Sequence, residues 1–416
     1  MKAGAGKAEV DLAGVLPFDG FDAVQHPLVV RALVLEEGIR ICLVSMELTS
    51  IREDLLAALR EAAGAATGAA GAQLWVTATH CFSAPHTRTP GHLGSEEERE
   101  RNVALQGVYA KAVREACTSA VAHLAPADVE VGRGTTQVNV NRDVPTPAGW
   151  WLGRNPEGFS DHVLPVVRIS SGEGRTIAIV FSADVQSSVL SGSVDSEGRR
   201  MVSGDLAGFA AASLERSHPG TVALFLEGCA GDQMPREVAV TQTVAADGTI
   251  VRTDVHEEGY CMLHQLGSEL AGDVEEALDG MGKAGGAGLA AASSEVSLPG
   301  KEREEFSTLS PHAAIEWHAS DPISTTVSLV RIGSIVFAGV EPEMASSFGH
   351  ALRTHEGGPF VVATMVNGAQ KYLPDAESYD HITYEAMNSG FARGADQLLA
   401  DAVLRETRKI EEGECA

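Results

Sequence analysis

The chain has 416 residues, of which 44% are hydrophobic and 5% aromatic, and 31 Lys+Arg against 57 Asp+Glu give a net charge of −26. That length and apolar content support a sizeable core and exclude a disordered chain. The acidic balance excludes nucleic acid and an anionic membrane surface, which require concentrated Lys and Arg. It fits a small-molecule substrate, cationic or amine-containing, or a protein partner, though plain surface solvation is the more usual account of an acidic excess.

No apolar run is long enough to span a bilayer, and the N-terminal MKAGAGKAEVDLAGVLP lacks the apolar centre of a signal peptide. A cytoplasmic protein is expected. Cys42, Cys81, Cys117, Cys229, Cys261 and Cys415 show no CxxC spacing, so free thiols are expected.

In chain order, residues 28–35 and 41–46 read as buried β-runs around a Glu-Glu-Gly turn. Helical spacing covers 51–66, a strand over 73–79 ends at His80, and a long helix covers 103–124. Strands are predicted over 128–140, 163–170 and 175–182, a helix over 205–216, and a strand ending in LFLEG at 224–228. A helix spans 257–280. The small-residue stretch 281–293 reads as a loop within a single domain spanning 1–416. Strand 326–338, helix 343–354, strand 359–366 and helix 391–409 close the chain. The alternation predicts an α/β fold with mixed sheets and flanking helices.

Chemistry in α/β folds collects in loops just past strand ends. Five such places hold unusual residues. A strand delivers His80 into Cys81-Phe82-Ser83-Ala84-Pro85-His86, and His92 follows; a histidine there suits ligation or acid/base work, though a loop histidine is more often unspecialised. Asp184 follows another apolar strand, with a turn or cap as its ordinary role, and Asp205 looks like a helix N-cap. The segment Glu227-Gly228-Cys229-Ala230-Gly231-Asp232-Gln233-Met234-Pro235 at a strand end can present backbone N–H groups to an anion; Cys229 within it reads as a buried structural thiol. Glu341, right after SIVFA, suits a metal ligand or general base, or is a solvated loop acid. Tyr372, Tyr379 and Tyr384 cluster near the C-terminus, where packing is the plain explanation.

Together these segments resemble the N-terminal catalytic domain of the neutral/alkaline (non-lysosomal) ceramidase family, over residues 4–408. His26-Pro27-Leu28-Val29-Val30-Arg31 is close to that family's arginine-containing strand. Ala78-Thr79-His80 resembles its Ala-Thr-His-x-His-Ser-Gly-Pro signature, and Ser203-Gly204-Asp205-Leu206-Ala207-Gly208 its Ser-x-Asp-Tyr-x-Gly segment. Gly228 to Pro235 resembles its Gly-x-x-Gly-Asp-x-x-Pro loop. Val340-Glu341-Pro342 stands where the family has Gly-Glu-Pro, and Tyr372-Leu373-Pro374 and Tyr384-Glu385-Ala386 match its C-terminal pieces.

The resemblance implies an amide hydrolase with one zinc held by two histidines, a glutamate and a tyrosine. Carried over, His80, Glu341 and Tyr372 are ligands, while the second histidine falls at Asp184. The partner histidine of the His-x-His pair is Phe82, and a family serine falls at Ala230. The expected site therefore combines His80, Asp184, Glu341 and Tyr372 with Asp232, lined by Phe82, Arg31 and Cys229. The family's secretion signal and extra C-terminal β-domain have no counterpart in this reading.

A His/Asp/Glu/Tyr set still holds a divalent metal, but a harder one is favoured than with two histidines. The leading expectation is a metal-dependent hydrolase of a small or acyl-amide substrate. The alternatives are a metal-free biosynthetic enzyme, in which Asp184 and Glu341 bind an amine and serve as base for an intramolecular cyclisation, and a catalytically silent partner protein.

Overall fold

The computed structural model describes residues 1–286, 288–303 and 309–413, so Cys415 lies outside the described residues. Two sheets stack face to face between two layers of helices. The larger sheet runs, in spatial order, through strands Val222–Glu227, Thr176–Ala183, Val163–Ser171, Ala125–Thr135, Lys2–Glu9, Val29–Glu37, Ile39–Met46 and Leu74–Ala78, with Gly282–Lys283 added at Ala125–Thr135. The smaller sheet is Leu289–Arg303, Trp317–Ile332, Ile335–Val340 and Val361–Ala363. This is the expected mixed α/β architecture.

Side-chain alternation builds the layers. In Val29–Glu37, Val30, Ala32 and Val34 face helices Glu53–Thr67 and Glu96–Ala122, while Leu33 and Leu35 face the second sheet. In Val222–Glu227, Ala223 and Phe225 face helices Asp205–Ser217 and Glu258–Asp279, while Leu224 and Leu226 join the inter-sheet core with Val330, Ile332 and Phe337. Val336 and Ala338 face the last layer, helices Ser346–Thr354 and Ala395–Glu412. Gly4 and Gly6 let helix Glu96–Ala122 approach the sheet, because a Cβ at either would collide with the carbonyls of Ala120 or Ala116.

The two halves of the larger sheet are joined by only two residue pairs, Lys2 with Pro126 and Ala3 with Ala125. Side chains join them a second time. Ser45 Oγ donates to Phe225 O at 2.6 Å, and buried Arg31 bridges Glu47 at 2.5 Å and Glu215 at 2.8 Å.

Several boundaries differ from the sequence reading for local reasons. The long helix starts at Glu96, because Ser95 and Glu98 form a capping box ahead of the charged run. Residues 326–338 divide at Gly333, whose φ of +59° allows a hairpin turn. Residues 289–293, read as loop, open strand Leu289–Arg303. Glu343–Met344 is extended and pairs in parallel with Tyr372–Leu373, so the helix expected from 343 begins at Ser346.

Within the two large sheets three strand pairs are parallel: Ile39–Met46 with Leu74–Ala78, Thr176–Ala183 with Val222–Glu227, and Ile335–Val340 with Val361–Ala363. Their carboxyl ends supply His80, Glu227 and Glu343. Among the described residues, no helix is long and apolar enough to cross a membrane.

Candidate metal centre and active site

His80, Glu227 and Glu343 converge so that one ligand atom from each lies within 4.8 Å of the others, and all three side chains are buried. His80 follows strand Leu74–Ala78 with φ of +51°, a left-handed conformation that costs energy for a non-glycine residue and marks a constrained position. Its Nδ1 lies 2.6 Å from Thr49 O. A carbonyl only accepts, so Nδ1 carries the hydrogen and Nε2 is directed at the carboxylates. Nε2 sits 3.1 Å from Glu343 Oε2.

Burial disfavours the imidazolium, but Glu343, Glu227 and the Thr49 carbonyl outweigh it and push His80 up to about 9. Glu227 ends its strand with both carboxylate oxygens buried and without a hydrogen-bond partner. Burial and the nearby Glu343 push its carboxyl well above the usual range. Glu343 is buried too, yet His80, Arg142 and Lys371 hold its carboxyl below its ordinary value. Glu343 Oε2 also accepts from Gln186 Nε2 at 3.2 Å.

This chemistry fits a divalent cation. Two carboxylates and an imidazole converge, one carboxylate is unpartnered, and a backbone acceptor orients the imidazole from behind, the usual outer support of a metal-bound histidine. The excess of oxygen donors suits Mn, Fe or Mg as well as Zn.

Arg142 and Tyr372 adjoin the cluster. Arg142 Nε donates to Glu385 Oε1 at 2.8 Å and Nη1 to Gln186 Oε1 at 2.8 Å, and its guanidinium lies 5.4 Å from the Tyr372 ring. Burial keeps the Tyr372 phenol well above its ordinary value, hence protonated. Phe82 packs edge-on against His80, with ring centroids 4.6 Å apart. Phe82, Arg142, Gln186, Tyr372 and Tyr384 line one part of a cavity of about 830 Å³.

The structure thus brings together His80, Tyr372 and Phe82 and leaves Asp184 and Glu341 outside the cluster. Asp184 is held by Arg353, with Oδ2 2.7 Å from Nη2, and accepts from Ser346 Oγ at 3.0 Å and Cys229 N at 2.9 Å. Its charge is neutralised there, and Glu227 of the neighbouring strand takes part in the cluster instead. Glu341 lies outside the cluster, beside Gly368 and within reach of Thr326. The chain bends at Glu341–Pro342, and Glu343 is the residue paired with Tyr372.

Asp232 is buried, accepts from Ser346 N at 2.8 Å, and is pushed up to about 7, chiefly by burial. Arg31 and Cys229 do not line the cavity: Arg31 is taken up by Glu47 and Glu215, and the Cys229 thiol is buried and pushed up by that burial. The Cys81 thiol is likewise buried and donates to Ser203 O at 3.0 Å. His86 pairs with Asp19 at 2.7 Å, away from the cluster. Asp205 does not cap its helix from the N-cap position; it accepts from Ser83 Oγ and from the backbone of Val189 and Leu190.

Glu227 and Glu343 lie in two of the segments that the sequence marks, but neither was expected as a ligand. The available signal for Glu227 was a carboxylate closing an otherwise apolar strand, LFLEG.

No protein-family profile matches the chain, and no curated protein does. Among solved structures, neutral ceramidase from Pseudomonas aeruginosa matches with a TM-score of 0.75 over 99% of this chain and 74% of that one, at 15% identity. A ceramidase complexed with C2 matches with 0.74 over 99% and 75%, also at 15% identity. The chain has the fold of neutral ceramidase, as its motifs implied.

Proposed function

We infer that this chain is a metal-dependent hydrolase of an amide bond in an acyl-amide substrate, with His80, Glu227 and Glu343 as the protein ligands and Tyr372 beside them. The observation that carries this reading is the unpartnered Glu227 carboxylate, buried against His80 and Glu343, with Phe82 packed on His80 and lining the cavity. The ceramidase fold supports a hydrolase.

A bound divalent cation would polarise the amide carbonyl and lower the pKa of water. Thr49 fixes the His80 tautomer so that Nε2 faces the cluster. Glu343 stays ionised beside His80 and Arg142, and Glu227 would join it as the second carboxylate ligand. Tyr372, protonated and next to Glu343, is the donor available to a developing oxyanion or to the leaving amine. Phe82 donates no proton and closes one wall against water, so this role falls to the phenol.

The test is metal content and activity measured together. One equivalent of metal in the purified protein, with N-acyl amide hydrolysis abolished by chelator and restored by metal, is the expected result. Full activity in metal-free protein would overturn the reading in favour of acid/base catalysis by His80 and the two glutamates.

A further inference from the structure

The charge of the cavity runs against the charge of the chain. Acids outnumber bases 57 to 31 overall, yet the cavity is lined by Arg142, Arg154, Arg236 and Arg252 against a single acid, Glu237. Arg142 is bound by Glu385, and Arg236 holds Glu269 through both Nη atoms at 2.9 and 2.8 Å. The other two have no carboxylate partner among the described residues. Arg154 only donates Nε to the Arg236 carbonyl at 3.2 Å. Arg252 lies over the backbone of Gly192, close enough to Arg200 for the two cations to repel.

A guanidinium exposed on an apolar lining without a carboxylate partner is available to an anion. Both guanidiniums are exposed on the cavity lining, on strands Gly149–Asn155 and Ile250–Asp254. The wall they share with the catalytic end is apolar, including Val144, Pro145, Leu152, Met234, Val238 and Met262.

We propose that the cavity takes an amide with an apolar body and an anionic group, carboxylate or phosphate, and that Arg154 and Arg252 hold that anion. This rests on the hydrolase reading for the fate of the amide, while the binding of the anion is separate from it. The net charge of the chain alone points to a cationic ligand; the lining favours the opposite sign because contacts within a few ångströms are not screened, whereas the remote surface acids lie beyond the Debye length of about 8 Å at physiological salt.

Binding is measured by titration calorimetry in chelator, on the full chain and on Glu227→Gln, with four probes. These are N-octanoylglycine, its methyl ester, N-octanoyl-O-phosphoethanolamine and N-octanoyl-ethylenediamine. At least one anionic probe is expected to bind about tenfold or more tighter than the ester, and the tighter of the two anions shows whether carboxylate or phosphate is read. The preference should disappear in the double variant Arg154→Gln/Arg252→Gln, with ester affinity and thermal unfolding unchanged, and should persist in Glu227→Gln. Equal affinity for ester and anions, tightest binding of the cationic probe, or a preference unaffected by the double substitution would overturn the proposal. Because no turnover is involved, a failure of hydrolysis leaves this result standing, and the converse holds.

Discussion

Glu227→Gln separates the cluster seen in the structure from the ligand set expected from the motifs. In the metal-free chain, Glu227 is buried, without a hydrogen-bond partner, and its carboxyl is raised well above the usual range. Glutamine is close in shape to the protonated acid, so the metal-free variant should unfold within about 1 kcal/mol of the parent. With metal at a hundredfold excess over Kd, binding stabilises the parent by about 2.7 kcal/mol. For 416 residues, an unfolding entropy of about 2.1 cal/mol/K per residue converts this to roughly 3 °C in Tm. Loss of one of three ligands should weaken binding about a hundredfold or more, reducing the shift at the same metal concentration to below roughly half a degree. Scanning calorimetry in chelator, then with Mn or Zn, reads both numbers. A full metal shift in Glu227→Gln, together with its loss in Asp184→Asn, would refute the assignment.

Three further outcomes follow from the same geometry. Glu343→Gln should abolish metal-dependent stabilisation while Glu341→Gln leaves it intact, because only Glu343 stands with His80 and Glu227; the reverse pattern in a metal titration would contradict this. Metal-free protein should lose stability as pH rises from about 6.5 to about 9, since folded His80 keeps a proton that the unfolded chain has already released. Urea midpoints in chelator should fall across that window and fall less in His80→Gln, and a flat or rising profile would contradict it. Arg353→Met should destabilise the chain by about 3–5 kcal/mol by stranding the Asp184 charge, without altering metal affinity; a lost metal shift in the still-folded variant would return Asp184 to the site.

Most of the architecture was legible in the sequence because it depends on local pattern. Apolar strands at 28–35, 41–46 and 163–170 and the helix over 257–280 appear close to where periodicity puts them. His80 and Tyr372 were readable because a strand end and a short motif define each. The positions of Asp184 and Glu341 outside the cluster depend on information that is not local. Asp184 looked free because Arg353, which neutralises it, lies 169 positions away on another layer. Glu341 and Glu343 are two residues apart, and only the bend at Pro342 and the parallel pairing with Tyr372 decide which reaches His80. Glu227 passed as the polar end of a buried strand, and its lack of any partner is visible only in three dimensions. The arginines of the cavity escape a charge count for the same reason: Arg154 and Arg252 come from separate hairpins and share only the lining of the pocket.

Anomalous diffraction from crystals equilibrated with Mn2+ tests the central claim most directly. One peak within coordination distance of His80 Nε2, Glu227 and Glu343 is predicted, absent in Glu227→Gln crystals treated identically. A peak coordinated by Asp184 or Glu341, or no peak at saturating metal in an active enzyme, would contradict it.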